Sequence, residues 1–295
     1  MRWNLAVATL AASWGLIAII VREVDLDAQV LTFYRLAFAA LALLVVAVAL
    51  QTLAKLRLAR RRGWIVLIGS LLGVHWFLYF ATIKLSSVAV AVLMAYLAPV
   101  AIALIAPFVL PEERSRVALF ALAPAALGVA LVAFGGEDGG AMRPLAFASG
   151  LATAATYAAL VLLTKRIAHD VPLIALTTWN YVIAAAAVTP LLATADRVVP
   201  TARELPVVVA LGVVFTALSG YLYIWLLRRV TAQAIGILAY IEPVSAALLA
   251  WALLGEELTW QVLLGGALVI AGGLAVVFFE PEDAAAPEAA PVAPG

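Results

Sequence analysis

The segment "ILAYIEPVSAALLAWALLGEEL" (residues 237–258) decides the fold, because a similar segment occurs earlier in the chain. Residues 93–114 read "LMAYLAPVAIALIAPFVLPEER" and precede it by a constant 144 positions. A Glu-Glu pair follows in both copies, and other residues recur at the same offset: Tyr96 and Tyr240, Pro99 and Pro243, Tyr79 and Tyr223, Gly128 and Gly272. The chain therefore contains an internal repeat.

The composition identifies the solvent that surrounds the protein. Of the 295 residues, 66% are hydrophobic and 12% are charged, and the mean hydropathy is +1.13. A soluble domain carries about 25% charged residues, so the main solvent here is lipid. The net charge of +1 is too small to indicate the basic surface that binds nucleic acid. Because cysteine is absent, disulfides and thiolate metal sites are excluded.

A membrane-spanning helix needs about 20 mostly apolar residues. Ten such segments occur: 3–21, 29–50, 63–83, 87–109, 116–134, 144–164, 172–193, 205–227, 232–254 and 261–279. Five spans per half is an odd number, so the two halves must enter the membrane from opposite sides. The sequence predicts an all-α integral membrane protein with ten transmembrane helices as two inverted five-helix repeats. Such repeats characterise secondary transporters, whose substrate site lies near the bilayer midplane between the repeats.

The repeat also predicts the domain organisation. Residues 1–134 form the first five-helix repeat and residues 144–279 the second, joined by a periplasmic linker at 135–143. The tail, 280–295, is rich in Ala, Pro and Glu, and we expect it to be disordered and cytoplasmic. The first span lacks a convincing cleavage site, so we expect it to be retained as an anchor.

Lysine and arginine residues predict the orientation. With the N-terminus inside, the cytoplasmic side holds 12 of them and the outer side 5. Cytoplasmic loops carry an excess of Lys and Arg. We therefore expect a multi-pass protein of the inner membrane with both termini in the cytoplasm.

These motifs carry a resemblance to a known family. The pattern "EPV…LLGEE" at the end of a five-span half, "ASWGL" (12–16) and Arg35 within "LTFYRLAFAAL" resemble EamA-type members of the drug/metabolite transporter superfamily. The resemblance implies ten helices, alternating access around a central cavity, and export of amino acids or other small metabolites. Two features depart from the family pattern. Ala98 replaces the usual glutamate of the first half, and "LPEE" (110–113) replaces "LGE". In aromatic amino-acid exporters of the superfamily this motif resembles Tyr-x-Trp-Pro, so Ala98 argues against an aromatic substrate.

Glu242 is the first candidate for a functional group. It lies inside an apolar span, where an acidic residue costs roughly 2.5–3.5 kcal/mol on insertion scales unless it faces a partner or a wet cavity. A carboxylate at this depth is commonly a proton relay or the partner of a cationic group. The alternative is a structural glutamate that fills the hydrogen-bonding gap left by Pro243.

Aromatic residues with polar groups are the remaining candidates for the cavity wall. Such side chains suit a site that holds and releases a small amphipathic molecule, although packing or a position at the membrane interface is the alternative. The candidates are Trp14, His75, Trp76, Tyr79, Tyr96, Tyr157 and Tyr240. Pro99 and Pro243, about halfway through their spans, are expected to break or hinge their helices.

Arg35 and Asn180 are assigned structural roles. Arg35 lies about six residues from the outer end of its span, so we expect it to snorkel to the interface or pair with Asp25 or Asp27. Asn180 is expected to join neighbouring helices. The glycine-rich stretch 263–273 is expected to pack closely against another helix, with a homodimer contact as the alternative.

The sequence lacks the common catalytic signatures. It has no HExxH, G-x-S-x-G or Walker-type pattern and only two histidines, so we expect no enzyme, cofactor or metal site. The favoured function is a secondary transporter that exports amino acids or related small metabolites by alternating access, with proton coupling through Glu242 left open. An uncoupled facilitator or exchanger is the first alternative, and a membrane sensor or enzyme that transports nothing is the second. The expected partners are a small-molecule substrate and membrane lipid.

Overall fold

A computed structural model gives the fold. The structure describes residues 2–57, 61–110, 116, 120, 123–124, 127–128, 131, 143–230, 235, 238–239, 241–255 and 257–279. Three predictions therefore lie outside the described residues: the position of Tyr240, the course of most of the fifth span, and the state of residues 135–142 and 280–295.

Every regular element in the described part of the chain is helical. The α-helices are α1 (Arg2–Glu23), α2 (Ala28–Ala49), α3 (Arg62–Leu85), α4 (Val88–Ala95), α5 (Ala98–Val109), α6 (Pro144–Ile167), α7 (Leu173–Val188), α8 (Leu205–Gly212), α9 (Ser219–Leu227), α10 (Ile241–Leu249) and α11 (Trp260–Phe279). Short 3₁₀ segments occupy Leu53–Leu56 and Thr189–Thr194, and π-helical segments occupy Val213–Leu218 and Ala250–Leu254.

Six helical stretches among the described residues are long and apolar enough to cross a membrane: Leu5–Glu23, Ala28–Ala49, Arg62–Leu85, Pro144–Ile167, Leu173–Thr194 and Leu205–Leu227. They correspond to the predicted spans one, two, three, six, seven and eight, with ends that differ by a few residues. The prediction of an all-α membrane protein is confirmed, and six helices among the described residues are long enough to be spans. The count of ten spans stays a prediction.

The outer surface of the bundle is apolar, as lipid requires. On α2, for example, Leu41, Val45 and Val48 are 55%, 58% and 58% exposed. A soluble protein seldom exposes a continuous apolar patch of this kind. This side of α2 therefore faces the acyl chains.

The helices of the fourth and ninth predicted spans are interrupted near their prolines. Helix α4 ends at Ala95, Tyr96 and Leu97 form a turn, and α5 follows with Pro99 as its second residue. Pro243 likewise lies in the first turn of α10. The first amides of a helix have no partner within that helix, so the missing N–H of a proline costs little there. The interruption thus precedes Pro99, which lies in the first turn of the next helix.

The two ends of the bundle are named here by one residue each. The Lys84 face contains residues 22–29, 83–87 and 194–204, and the Arg228 face contains residues 53–57, 61, 165–173 and 227–230. Helix α3 runs from one face to the other over 24 residues. At 1.5 Å per residue this separates the faces by about 36 Å.

Equivalent lysine and arginine contacts occur at both faces. At the Lys84 face, Arg22 Nη1 donates to the carbonyl oxygen of Ser86 (2.9 Å). At the Arg228 face, Lys165 Nζ donates to the carbonyl oxygen of Val230 (2.6 Å). The two acceptors are 144 positions apart, the offset of the sequence repeat.

In a second pair of contacts, the two donors are related by this offset. Lys84 Nζ donates to the carbonyl oxygen of Val24 (2.6 Å), and Arg228 Nη2 donates to that of Val171 (2.7 Å). Lys84 and Arg228 are again 144 positions apart but lie on opposite faces. The two halves are therefore inverted with respect to each other, as predicted.

Helix packing between the halves shows the same symmetry, because each contact has an equivalent with the two halves interchanged. Helix α3 packs on α7 while α2 packs on α8, and α1 packs on α10 while α6 packs on α4 and α5. Close approach of α1 to α10 depends on Gly15, where an added Cβ would lie 2.3 Å from Ser245 Oγ and 2.8 Å from the backbone nitrogen of Ala246. The main interface of the bundle thus joins the two halves.

At Gly266, helix α11 lacks the close packing that the glycine-rich stretch predicted. A Cβ added at Gly266 would meet no atom within 4 Å in the described part of the chain. The expected close contact with another helix is therefore not made at this position. Contact with a second copy of the chain stays a prediction.

Candidate functional site

A cavity of about 140 Å³ lies between the two halves. Helices α1, α2, α3, α6, α7, α9 and α10, the turn after α4 and the π-helical segment Val213–Leu218 all contribute to its wall. The candidates from the sequence that line it are Trp14, His75, Trp76, Tyr79, Tyr96, Tyr157 and Glu242. The structure thus brings seven of the eight predicted side chains to one cavity. Their role in binding a substrate stays a prediction.

Glu242 lies in the wall of this cavity, where two tyrosines of the other half hold its carboxylate. Tyr96 Oη donates to Oε2 at 2.7 Å, and Tyr79 Oη donates to Oε1 at 3.5 Å. Glu242 itself is partly buried. These contacts supply the partners that offset the cost of an acidic residue at this depth.

The interrupted helices place Tyr96 and Glu242 opposite each other. Tyr96 lies in the turn between α4 and α5, and Glu242 is the second residue of α10. Both positions therefore lie where a helix ends or begins rather than in the middle of a rigid helix. The hydrogen bond between them directly links the first half to the second.

His75 joins α3 to α6 at the cavity wall. Its Nδ1 lies 3.2 Å from the carbonyl oxygen of Thr153 and 3.1 Å from Thr156 Oγ1. The Thr156 hydroxyl donates to the carbonyl oxygen of Ala152 (2.8 Å), so it accepts from His75. Because both partners are acceptors, Nδ1 carries a hydrogen. The ring lies parallel to that of Tyr79, with an interplanar angle of 8°.

Arg35 corrects the prediction from the sequence. The side chain is 1% exposed and lines the cavity, so it neither snorkels to the interface nor pairs with Asp25 or Asp27. Its Nε donates to Thr216 Oγ1, and its Nη2 donates to the carbonyl oxygen of Phe215 (3.2 Å). The guanidinium also lies 3.8 Å from the centre of the Trp76 ring. Partners on α3 and the π-helical segment hold the charge inside the bundle. These partners are distant from Arg35 in the sequence, so its neighbouring residues could not predict them.

The π-helical segment Val213–Leu218 supplies the acceptors for this arginine. A π-turn changes the ordinary hydrogen-bond ladder of a helix and frequently marks a functional site. The carbonyl oxygen of Phe215 accepts from Arg35, and that of Thr216 accepts from Tyr181 Oη (2.9 Å). Gly220 is required beside this contact, since an added Cβ would lie 1.7 Å from Tyr181 Oη.

Asn180 also lines the cavity rather than only joining helices. The residue is 4% exposed, and its Oδ1 has no hydrogen-bond partner in the described part of the chain. Together with Arg35, Tyr181, Thr216 and Ser219 it forms a polar part of the wall that the sequence analysis missed. Among the described residues, no group of three His, Asp or Glu side chains could hold a metal ion.

Comparison with known proteins identifies the family. The model of the EamA-like transporter family matches residues 1–134 and 145–278. An uncharacterized transporter of Archaeoglobus fulgidus is 42% identical over 66 residues, which is 22% of this chain and 24% of that protein. A protein of known crystal structure superposes with a TM-score of 0.72 at 24% identity, covering 94% of this chain and 96% of that one, which shows a shared fold. Because the family model matches both halves of the chain, the protein belongs to the EamA-like transporter family and is a transporter rather than an enzyme.

Proposed function

We propose that the protein is a secondary transporter of the inner membrane that exports amino acids or related small metabolites by alternating access, coupled to protons through Glu242. One observation carries the proposal. Both halves contribute to a single cavity, and Glu242 of the second half accepts hydrogen bonds there from Tyr96 and Tyr79 of the first.

The chemistry of this contact gives protonation a mechanical effect. An ionised carboxylate accepts hydrogen bonds at both oxygens, and bonds to a charged acceptor are about twice as strong as neutral ones. Protonation of Glu242 removes that charge and turns one oxygen into a donor. The hold of Tyr96 and Tyr79 on α10 then weakens, and the two halves can move relative to each other.

The two faces supply the gates that this motion would open. At the Lys84 face, Arg197 donates to both oxygens of Glu204 (2.7 Å each) and to the carbonyl oxygen of Asp25 (2.8 Å). The guanidinium lowers the pKa of Glu204 to about 2, so the pair stays charged at neutral pH. At the Arg228 face, Arg61 pairs with Asp170 at 2.9 Å. Exposed ion pairs of this kind contribute only about 0–1 kcal/mol each, so these pairs alone add little to the cost of opening either face.

Flux measurements on purified protein test the proposal. Liposomes containing the protein are loaded with a pool of labelled amino acids, and efflux is followed with and without an imposed pH gradient. Efflux that responds to the gradient supports the proposal. Efflux that ignores it supports an uncoupled facilitator or exchanger, in which Glu242 is structural. No efflux of any amino acid contradicts the proposed substrate class.

The proposed orientation gives a separate prediction. Both termini should lie in the cytoplasm and residues 135–143 in the periplasm, because Lys and Arg are distributed 12 to 5 in favour of that arrangement. Reporters fused at Gly136 and at the C-terminus should score on opposite sides of the membrane. Scores on the same side would mean that the predicted number of spans between them is wrong.

A further inference from the structure

Arg35 is a buried cation to which the described residues give no acidic partner. No carboxylate of the described residues forms an ion pair with it. The acceptors of its Nε and Nη2 are a neutral hydroxyl and a backbone carbonyl. The third nitrogen, Nη1, is buried and has no hydrogen-bond partner among the described residues.

An unpaired buried charge is expensive, and so is a buried donor left without an acceptor. The aromatic face of Trp76 and the two neutral acceptors offset part of that cost. The remainder is tolerated most readily where a ligand supplies the missing anion, because intramembrane charges face the bundle interior and pair there with partners or substrate.

We propose that Arg35 binds the carboxylate of the transported molecule and that Glu242 receives its ammonium group. The inference rests on the proposed transport function and deepens it by assigning the two ends of the substrate. Arg35 and Glu242 both line the cavity, but they are not paired with each other. A zwitterion placed between them neutralises one charge at each end.

The cavity supports a carboxylate rather than a phosphate. Arg35 is the one lysine or arginine among the described side chains that line the cavity, whereas a phosphate carries more charge than one guanidinium neutralises. A guanidinium and a carboxylate match in a planar, two-bond geometry. Because Nη1 is covered, we expect neighbouring wall side chains to shift when the carboxylate binds.

The volume limits the size of this zwitterion. The cavity measures about 140 Å³, close to the roughly 150 Å³ of an engineered protein cavity that binds benzene. The bound molecule should therefore have a small side chain, as in alanine, serine or valine. A large aromatic amino acid exceeds this space unless the wall opens further.

Wild-type protein provides the first test. Liposomes containing the full chain are loaded with labelled L-alanine, L-serine or L-valine, or with the matching carboxamides, which keep the ammonium group and lose the carboxylate. We expect efflux of each carboxamide to be at least about 10-fold slower than that of its acid, because a charge-assisted hydrogen bond is lost. Equal efflux of acids and amides would overturn the assignment of Arg35 while leaving transport intact. No efflux of either would instead overturn the proposed function, and this inference with it.

Variants locate the effect at Arg35. Arg35→Gln should lose the preference for acids over amides, and Arg35→Lys should restore part of it, since a lysine keeps the charge without the planar fork. Arg203→Gln, at an exposed position, removes the same charge elsewhere and should keep the preference. A purely structural Arg35 would lower the efflux of acids and amides by the same factor, and that result would contradict the proposal. If Arg35→Gln fails to fold, Arg35→Lys locates the effect, and equal efflux of acids and amides in wild-type protein would still overturn the proposal.

Discussion

Glu242→Gln protein should insert and fold normally but transport at least about 10-fold more slowly and without response to pH. Glutamine keeps the size of the side chain and can still accept a hydrogen bond from Tyr96, but it cannot bind or release a proton. Residue 242 can then no longer change between a charged hydrogen-bond acceptor and a neutral group. Efflux from liposomes at several values of pH, with thermal unfolding of the same preparation, measures both parts of the prediction. Complete loss of a group that transfers protons lowers a reaction rate by about 10²–10⁴-fold. The expected decrease in transport rate is therefore at least about 10-fold.

Tyr96→Phe is the matched control for the hydrogen bond alone. It removes the 2.7 Å donor to Glu242 but leaves the carboxylate able to titrate. Its efflux should be slower than that of wild type and still respond to pH. Full, pH-dependent efflux in Glu242→Gln would make Glu242 structural. It would also leave His75 as the remaining candidate for proton coupling in the cavity wall.

Locking either face of the bundle should stop transport completely. The chain has no cysteine, so a pair of introduced cysteines can be joined without competition. Gln29→Cys with Thr194→Cys links two segments of the Lys84 face, where the Gln29 Nε2 and Thr194 Oγ1 atoms are 3.4 Å apart. Arg61→Cys with Asp170→Cys links two segments of the Arg228 face, where the side chains pair at 2.9 Å. Because alternating access opens each face in turn, a bridge at either one holds the cavity shut on that side.

The measurement is efflux before and after reaction with a short bifunctional thiol reagent that reduction can cleave. Efflux should fall to the level of empty liposomes and return when the bridge is cut. The four single-cysteine variants control for modification without bridging. Undiminished efflux with one face bridged would show that this face does not open during transport.

The helices and the repeat could be predicted because they depend on local patterns. Apolar runs of span length placed the described ends of α1, α2 and α3 within a few residues of the observed ones. The same offset of 144 positions relates Lys84 to Arg228, and these two residues make similar contacts on opposite faces. Tyr96 and Glu242 could be selected because a proline lies close to each within an apolar span.

The polar part of the cavity wall could not be predicted, because it depends on how distant helices meet. Arg35 in α2 bonds to residues 180 and 181 positions later. The acceptors become available through a π-helical segment that contains no glycine or proline to signal it. Read alone, "LTFYRLAFAAL" places an arginine near the end of a span and favours snorkelling. The contacts with Trp76 and Thr216 appear only in the folded bundle.

Labelling of a single cysteine at position 219 tests the central claim most directly. Ser219 lines the cavity, is 6% exposed, and can be replaced by a cysteine of similar shape in a chain that has no other thiol. If the cavity opens to each side in turn, a membrane-impermeant thiol reagent should label Ser219→Cys in sealed vesicles of either orientation, and transported substrate should slow both reactions. Labelling from one side only, in protein that still transports, would contradict alternating access through this cavity.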